Sequence, residues 1–302
     1  MNTGDLALFV HTADSGSITR AAELLDMSTT AASAALKRLE KQLGTPLFIR
    51  STRQLRITAE GERFLVYCRE ALTSLEAGRA SMHALEGKVA GELRVSAPSD
   101  LGRNLLLDWI DEIMEEHPDL SINVLLGDSI ADFYLDRVDL AIRYGSQPDS
   151  SMVAFKLATI ERIVCASPTY LARFGMPAEP NDLLKHNCLL FQLNNRLNDV
   201  WEFTGRQKGR VEHFKVRVSS NRCANDGDVV RRWTIAGKGI SFKSRLDISE
   251  DLRAGRVVRI LPEYQSSGVD LNLICPTRKQ ITPAVLLLRD RLRVKFAEWL
   301  RV

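Results

Sequence analysis

Apolar residues in the first sixty positions recur at helical spacing. Leu6, Phe9, Val10 and Ala13 mark a first helix, and Ala21, Ala22 and Leu25 a short second one that Ser17 and Thr19 open. Ala32, Leu36, Leu39 and Leu43 fall at i, i+4, i+7 and i+11, one stripe of a third helix that should be buried along its length. Ser28 stands where its hydroxyl can accept from a first-turn N–H of that helix. The opposite face holds Thr30, Ala34, Lys37 and Lys41, flanked by Thr29 and Ser33, and no bulky residue keeps it from a groove. Only Asp26 and Met27 separate the second and third helices. The pair therefore predicts a helix-turn-helix whose second helix enters the major groove of double-stranded DNA.

After Leu43 the stretch GTPLFIRSTRQLRIT has breakers at Gly44 and Pro46, then short extended pieces around a polar turn at Ser51 to Gln54. This predicts a small hairpin, a wing whose Arg50 and Arg53 reach phosphates or the minor groove. Thr58 then caps a long helix with Glu60 and Glu62 near its positive end. Along it Leu65, Cys68, Leu72, Leu75, Arg79 and Met82 alternate spacings of three and four, a coiled-coil seam interrupted by Arg79. The favoured reading is a dimer linker holding two heads over a two-fold symmetric site; the alternative is a helix packed on its own domain.

From Glu92 the period changes to that of strands. Leu93 and Val95 alternate with Arg94 and Ser96, and further short strands are expected at 122–126, 140–142, 163–166, 216–218, 257–261 and 271–275. Helical stretches lie between them, one bearing Leu106, Trp109, Ile110 and Ile113, and a final one opened by Thr282 and Pro283 and carrying Val285, Leu288, Leu292, Phe296 and Trp299. The pattern predicts an α/β fold with a mostly parallel sheet behind an all-α-rich head. The expected division is a DNA-binding head at 1–58, a linker helix at 59–90 and an α/β domain at 91–302.

The chain has 302 residues, 45% of them hydrophobic and 26% charged, enough for two domains with ordinary cores. The net charge of +3 says little, but between Lys37 and Arg56 six basic residues stand against Glu40 alone, a phosphate-facing patch. Neither a leader peptide nor a membrane span is expected, so the reading is cytoplasmic. The cysteines Cys68, Cys165, Cys188, Cys223 and Cys275 are scattered, which fits buried thiols; a redox role for Cys188 and Cys223 is the alternative. No metal or cofactor is expected. Histidines 11, 83, 117, 186 and 213 are dispersed, and HExxH, Walker, GxSxG and dinucleotide-binding patterns are missing, which argues against an enzyme.

The run LALFVHTADSGSITRAAELLDMSTTAASAALKRLEKQLGTPLFIRSTRQLRITAEGERFL resembles the N-terminal region of LysR-type transcriptional regulators. Downstream, GELRVSAP, RVDLAIRYG, VCASPTYLARFG, HNCLLF, AGKGISF and DLRAGRVVRIL resemble that family's effector domain in the expected order. The resemblance implies a winged helix-turn-helix, a linker helix and a two-subdomain, periplasmic-binding-protein-like domain, with subdomain I at about 91–164 and 268–302 and subdomain II at about 165–267. It implies promoter binding at an interrupted palindrome, self-association to dimers and a homotetramer, a small-molecule effector between the subdomains, and RNA polymerase as a further partner. This chain departs from the family where Thr29 and Thr30 replace a frequent Gln-Pro and Ala34 replaces a frequent Arg or Gln. Bidentate purine readout is lost at Ala34, which shifts the expected weight to methyl contacts, dyad geometry and DNA shape.

Alignment of the motifs puts Ser99 and Asp100, then Gly127, Asp128 and Ser129, then Arg143, Tyr144 and Gly145 in loops at strand ends facing the cleft. Trp201 and Phe203 are expected as an apolar wall of the cleft, and Lys243 either in the pocket or on the surface. Eleven basic residues against three acids between Arg206 and Arg245 favour a carboxylate-bearing, anionic effector. The resemblance also implies that a first-subdomain helix of one protomer packs beside a second-subdomain helix of its neighbour, so that Asp111, Glu112 or Glu115 of the acid-rich span 108–139 would face Arg231 or Arg232 of a second copy. The rival to effector control is a repressor whose C-terminal domain serves only oligomerisation.

Overall fold

The computed structural model describes residues 1–50, 55–85, 89–129, 138–145, 152–194, 196–207 and 210–301. The chain divides into two compact units, Met1–Met82 and His83–Val302.

In the first unit, α1 (Thr3–Ser15), α2 (Ile18–Leu24) and α3 (Thr29–Leu43) precede a hairpin of β1 (Phe48–Arg50) and β2 (Leu55–Ile57), and then α4 (Ala59–Leu85) begins. Each start has its cap. Ser17 accepts from Arg20 N at 3.3 Å, Ser28 from Ala31 N at 3.2 Å and Thr58 from Gly61 N at 2.9 Å. Asp26 turns the chain between α2 and α3 with a left-handed φ of 52°. Leu8, Phe9, Ala21, Ala32, Leu36, Leu39 and Leu47 are buried together, each large side chain worth about 1.5–3 kcal/mol. Leu43 departs from its expected burial and is 36% exposed, because Gly44 ends the helix there in a left-handed cap and the chain turns away. A Cβ on Gly61 would lie 2.4 Å from the Leu47 carbonyl, so only glycine lets α4 approach the hairpin.

The predicted seam on α4 needs correcting. Leu65, Cys68 and Leu72 pack on the head's own core, and Phe64 meets Phe9 with ring centres 5.6 Å apart. The α1 stripe serves two neighbours, the helix-turn-helix and α4, which its sequence spacing does not reveal. Leu75 and Met82 remain exposed, as do Val66 and Tyr67 nearer the start of the helix.

The second unit is built on two sheets. The first comprises β3 (Gly91–Ala97), β4 (Leu120–Leu126), β5 (Leu140–Tyr144), β6 (Val153–Ile160) and β15 (Val269–Cys275), in the order β4-β3-β5-β15-β6. Between β3 and β4, α5 (Ser99–Leu101), a π-turn over Gly102–Leu106 and α6 (Leu107–Glu116) run on as one helix. Helix α10 (Pro283–Arg301) packs Val285, Leu288, Leu292 and Phe296 on this sheet, with Trp109 edge-on to Phe296 at 5.0 Å.

The chain leaves this sheet after Ile160. The second sheet holds β7 (Arg162–Ala166), β8 (Cys188–Leu193), β12 (Cys223–Ala224), β13 (Ile240–Ser244) and β14 (Val258–Ile260), in the order β12-β8-β13-β7-β14, with β9 (Arg196–Leu197) paired to β8. Helices α7 (Pro168–Phe174), α8 (Gly227–Ile235) and α9 (Ser249–Arg253) connect these strands, and β10 (Val200–Gln207) and β11 (Arg210–Arg217) form a separate hairpin. Both main sheets are mixed where a mostly parallel one was expected. β15 runs antiparallel to β5 and β6, and β7 antiparallel to β13 and β14, because the chain crosses between the sheets and re-enters in the opposite direction. Leu246, in the loop after β13, is buried in the first sheet's core, and Ser249 accepts from Trp299 Nε1 at 2.6 Å.

Candidate nucleic-acid interface and effector cleft

The exposed face of α3 carries Thr29, Thr30, Ala34, Lys37 and Lys41, with Ser33 half-buried at its edge. Ala32, Ala35, Leu36 and Leu39 anchor the other face, so the outward residues are held by a rigid helix. Glu40, the lone acid among the basic residues, turns inward and accepts from the amides of Leu47 at 2.9 Å and Phe48 at 3.2 Å. It thereby fixes the hairpin against the helix. Arg38 pairs with Asp5 of α1 at 3.1 Å while staying exposed, so Lys37, Arg38 and Lys41 are all solvent-facing cations of α3. Arg50 lies in β1; Arg53 lies outside the described residues.

In the second unit, the C-terminal ends of β3 and β4 face those of β8 and β12 across a cavity of about 520 Å³. Ser99, Gly127, Asp128 and Ser129 line it from one side, and Gln192, Asn194, Cys223, Asn225 and Asp226 from the other. The described lining holds two acids and no lysine or arginine.

Beside this cavity a polar seam joins the two sheets. Lys243 at the end of β13 bonds to Asp100 and, at 3.0 Å, to the Gly227 carbonyl, with Asp247 3.8 Å away. Lys243 and Asp100 are almost wholly buried. Burial works against the charge on Lys243, but Asp100 and Asp247 outweigh it and hold its pKa above the ordinary value. Burial and then the Asp100 charge push the Asp247 carboxyl up to about 7. Tyr144 donates to Asp247 at 2.8 Å. Asn104 donates to Asp100 at 2.7 Å and accepts from Arg231 at 2.9 Å, while Arg231 also holds Asp251 at 2.6 Å. Arg103 reaches Asp226 at 3.0 Å.

Two family models account for most of the chain. The bacterial regulatory helix-turn-helix of the LysR family matches residues 3–62, and the LysR substrate binding domain matches 86–297. The chain belongs to the LysR family. Among its relatives, the transcriptional activator TtdR of Escherichia coli K12 is 30% identical over 264 residues, covering 87% of this chain and 84% of that protein. The activator AaeR of the same strain is 29% identical over 263 residues, covering 86% of this chain and 83% of that protein. Among solved structures, full-length AphB, a virulence activator of Vibrio cholerae, superposes with a TM-score of 0.59 at 26% identity over 98% of this chain and 99% of that one. CrgA of Neisseria meningitidis gives 0.59 at 28% identity over 98% and 97%. This LysR-family protein is therefore a DNA-binding transcriptional regulator with an effector-binding domain, and the named relatives are regulators of transcription.

Within the regulator, Ser99, Gly127 and Asp128 line the cavity, whereas Asp100, Tyr144 and Lys243 lie in the adjoining seam. Trp201 and Phe203 are corrected outright. They are buried in the second sheet's core against Phe242, 5.4 and 5.5 Å between ring centres, because the β10–β11 hairpin folds over that sheet instead of facing the cleft. Of the charges expected to meet a second copy, Arg231 is mostly buried against Asp251, while Arg232 and Glu112 are exposed and pair with Asp228 and Lys295. Cys223 is exposed at the cleft, not buried as expected, while burial pushes the Cys188 thiol up to about 12.

Sequence reasoning missed Asn104, Asp226, Gly227, Asp228 and Asp247. The signal that was there is Asp226-Gly227-Asp228 ahead of an amphipathic helix. Asp226 caps α8 by accepting from the amides of Asp228 at 2.9 Å and Val229 at 3.1 Å.

Proposed function

We propose that this regulator binds an interrupted palindromic promoter site through paired heads and responds to a small polar effector held between the two sheets of its second unit. The observation that carries the DNA part is the exposed, small-residue face of α3 with Lys37 and Lys41 beside it, rigidly backed by Leu36 and Leu39. Thr29, Thr30, Ser33 and the Ala34 methyl read base edges, and Lys37, Arg50 and Arg53 contact phosphates or the neighbouring groove. Leu75 and Met82, exposed on α4, supply the linker contact between two copies, and dimers of dimers give a tetramer.

For the effector, the lining favours a neutral hydrogen-bonding molecule over the carboxylate that the basic span 206–245 suggested. Gln192, Asn194 and Asn225 offer amides, and the buried Lys243 and Arg231 are committed to acids of the chain itself. Genome-wide capture of bound DNA, followed by thermal shift against metabolites of the pathways controlled by the bound promoters, tests both parts. A shared dyad and one stabilising neutral metabolite are expected. The absence of discrete sites overturns the DNA reading, and stabilisation by a carboxylate alone overturns the effector reading.

A further inference from the structure

The Asp128 carboxylate occupies an unusual place. It belongs to the loop after β4, yet one oxygen accepts from Ser99 N at 2.9 Å while the other accepts from Ser99 Oγ and, at 2.7 Å, from Gly227 N, which Ser99 Oγ shares at 2.9 Å. Ser99 opens the helix that runs on to Glu116, and Gly227 opens α8. One negative group thus joins the N-terminal ends of two helices, one from each side of the cleft, where the helix dipoles and unpaired amides favour an anion. Helix α8 does not need Asp128 as a cap, since Asp226 already takes its next two amides. A Cβ on Gly227 would lie 3.6 Å from the Asp128 oxygen and 3.4 Å from both Asp100 and Lys243, so the three side chains converge on this residue. Beneath the loop, the nearly buried Arg143 donates to the Ser129 carbonyl at 3.2 Å and to Ser96 Oγ at 2.6 Å, fixing the segment that presents Asp128.

We propose that Asp128 is a resident anion that latches the two halves of the effector domain together without any ligand. The inference rests on the reading of this cleft as the regulatory one and deepens it. The latched arrangement is the default, and an effector acts by displacing the Asp128 carboxylate from the Gly227 amide. An effector shifts the balance only as far as it binds the displaced state more tightly than the latched one. Loss of a charge-assisted hydrogen bond of this kind corresponds to roughly a tenfold to hundredfold change in opening.

The test uses the full chain, wild type and Asp128→Ala, in hydrogen exchange with inorganic sulfate as the probe. In the variant, peptides covering 99–106 and 227–235 should exchange about tenfold faster or more, with peptides of α1 unchanged. Sulfate should restore their protection in a saturable way, while the wild type, whose site is filled, stays indifferent to it. Wild-type protection retained in the variant overturns the latch, as does equal sulfate protection of both proteins. Should Asp128→Ala fail to fold, Asp128→Asn, which keeps the size and one acceptor, is read against the same criteria. Promoter capture with the wild-type chain separates the two levels. No discrete sites would remove the regulatory reading and leave the exchange result to decide the latch.

Discussion

Replacing Asp100 by alanine leaves Lys243 as a nearly buried cation stripped of its closest counter-charge. At an effective dielectric near 20, two unit charges about 4 Å apart attract by about 4 kcal/mol, and removing one member of a buried pair generally costs about 3–5 kcal/mol. Lys243 would keep the Gly227 carbonyl at 3.0 Å and Asp247 at 3.8 Å, which places the loss at the low end, about 3 kcal/mol. Lys243→Met should cost a similar amount, because it strands Asp100 with Asn104 as its donor at 2.7 Å. The double variant should lose no more than either single one, since both members of the pair are gone and Asp247 keeps Tyr144 as its donor, giving a coupling of about 3 kcal/mol. The assay is urea unfolding followed by tryptophan fluorescence. All four tryptophans, Trp109, Trp201, Trp233 and Trp299, belong to the second unit, so the signal reports that unit alone. Losses that simply add, within about 0.5 kcal/mol, would show that the two residues act independently and refute the pair as the seam's main tie.

Three other outcomes are expected. Lys37→Ala should weaken binding to captured promoter DNA evenly across sequences and lower the slope of log affinity against log salt by about 1, measured by anisotropy; an unchanged slope removes Lys37 from the contact map. Asp247, with a folded pKa of about 7 against an ordinary carboxyl near 4, contributes stability that is full below about pH 4 and lost as the pH rises through 7. Asp247→Asn should therefore flatten the fall in melting temperature of the second unit across that window, and an unaltered fall counts against the buried carboxyl. A thiol reagent should label one cysteine rapidly in the native chain, the exposed Cys223, because burial raises Cys68 and Cys165 to about 11 and Cys188 and Cys275 to about 12; Cys223→Ser should abolish the fast phase.

The head was legible because its information is local. Ser17, Ser28 and Thr58 announce helix starts within three residues of the amides they bind, and the stripe through Leu36 and Leu39 follows from helical period alone. Glu40 is the counterexample. As an acid in a basic run it looks like a weak point of a DNA-binding patch, and only its reach of seven and eight positions to the amides of Leu47 and Phe48 shows it to be the brace of the hairpin. Cys68 is another. Its place in a three-and-four pattern fits a partner helix and an intramolecular core equally well, and burial in the head's own core decides between them.

For the effector domain, likeness to the family's motifs placed Ser99, Gly127 and Asp128 at the strand ends and helix starts that meet at the cleft. What those groups bind was decided by tertiary structure. Asp100 meets Lys243 across 143 positions, and Asp128 meets Gly227 across 99. A charge count over 206–245 suggests free cations awaiting an anion, but charge along a chain does not record which acids the fold brings opposite. A buried charge takes a counter-charge from whichever segment the fold brings beside it, and here the chain supplies those partners from the other sheet.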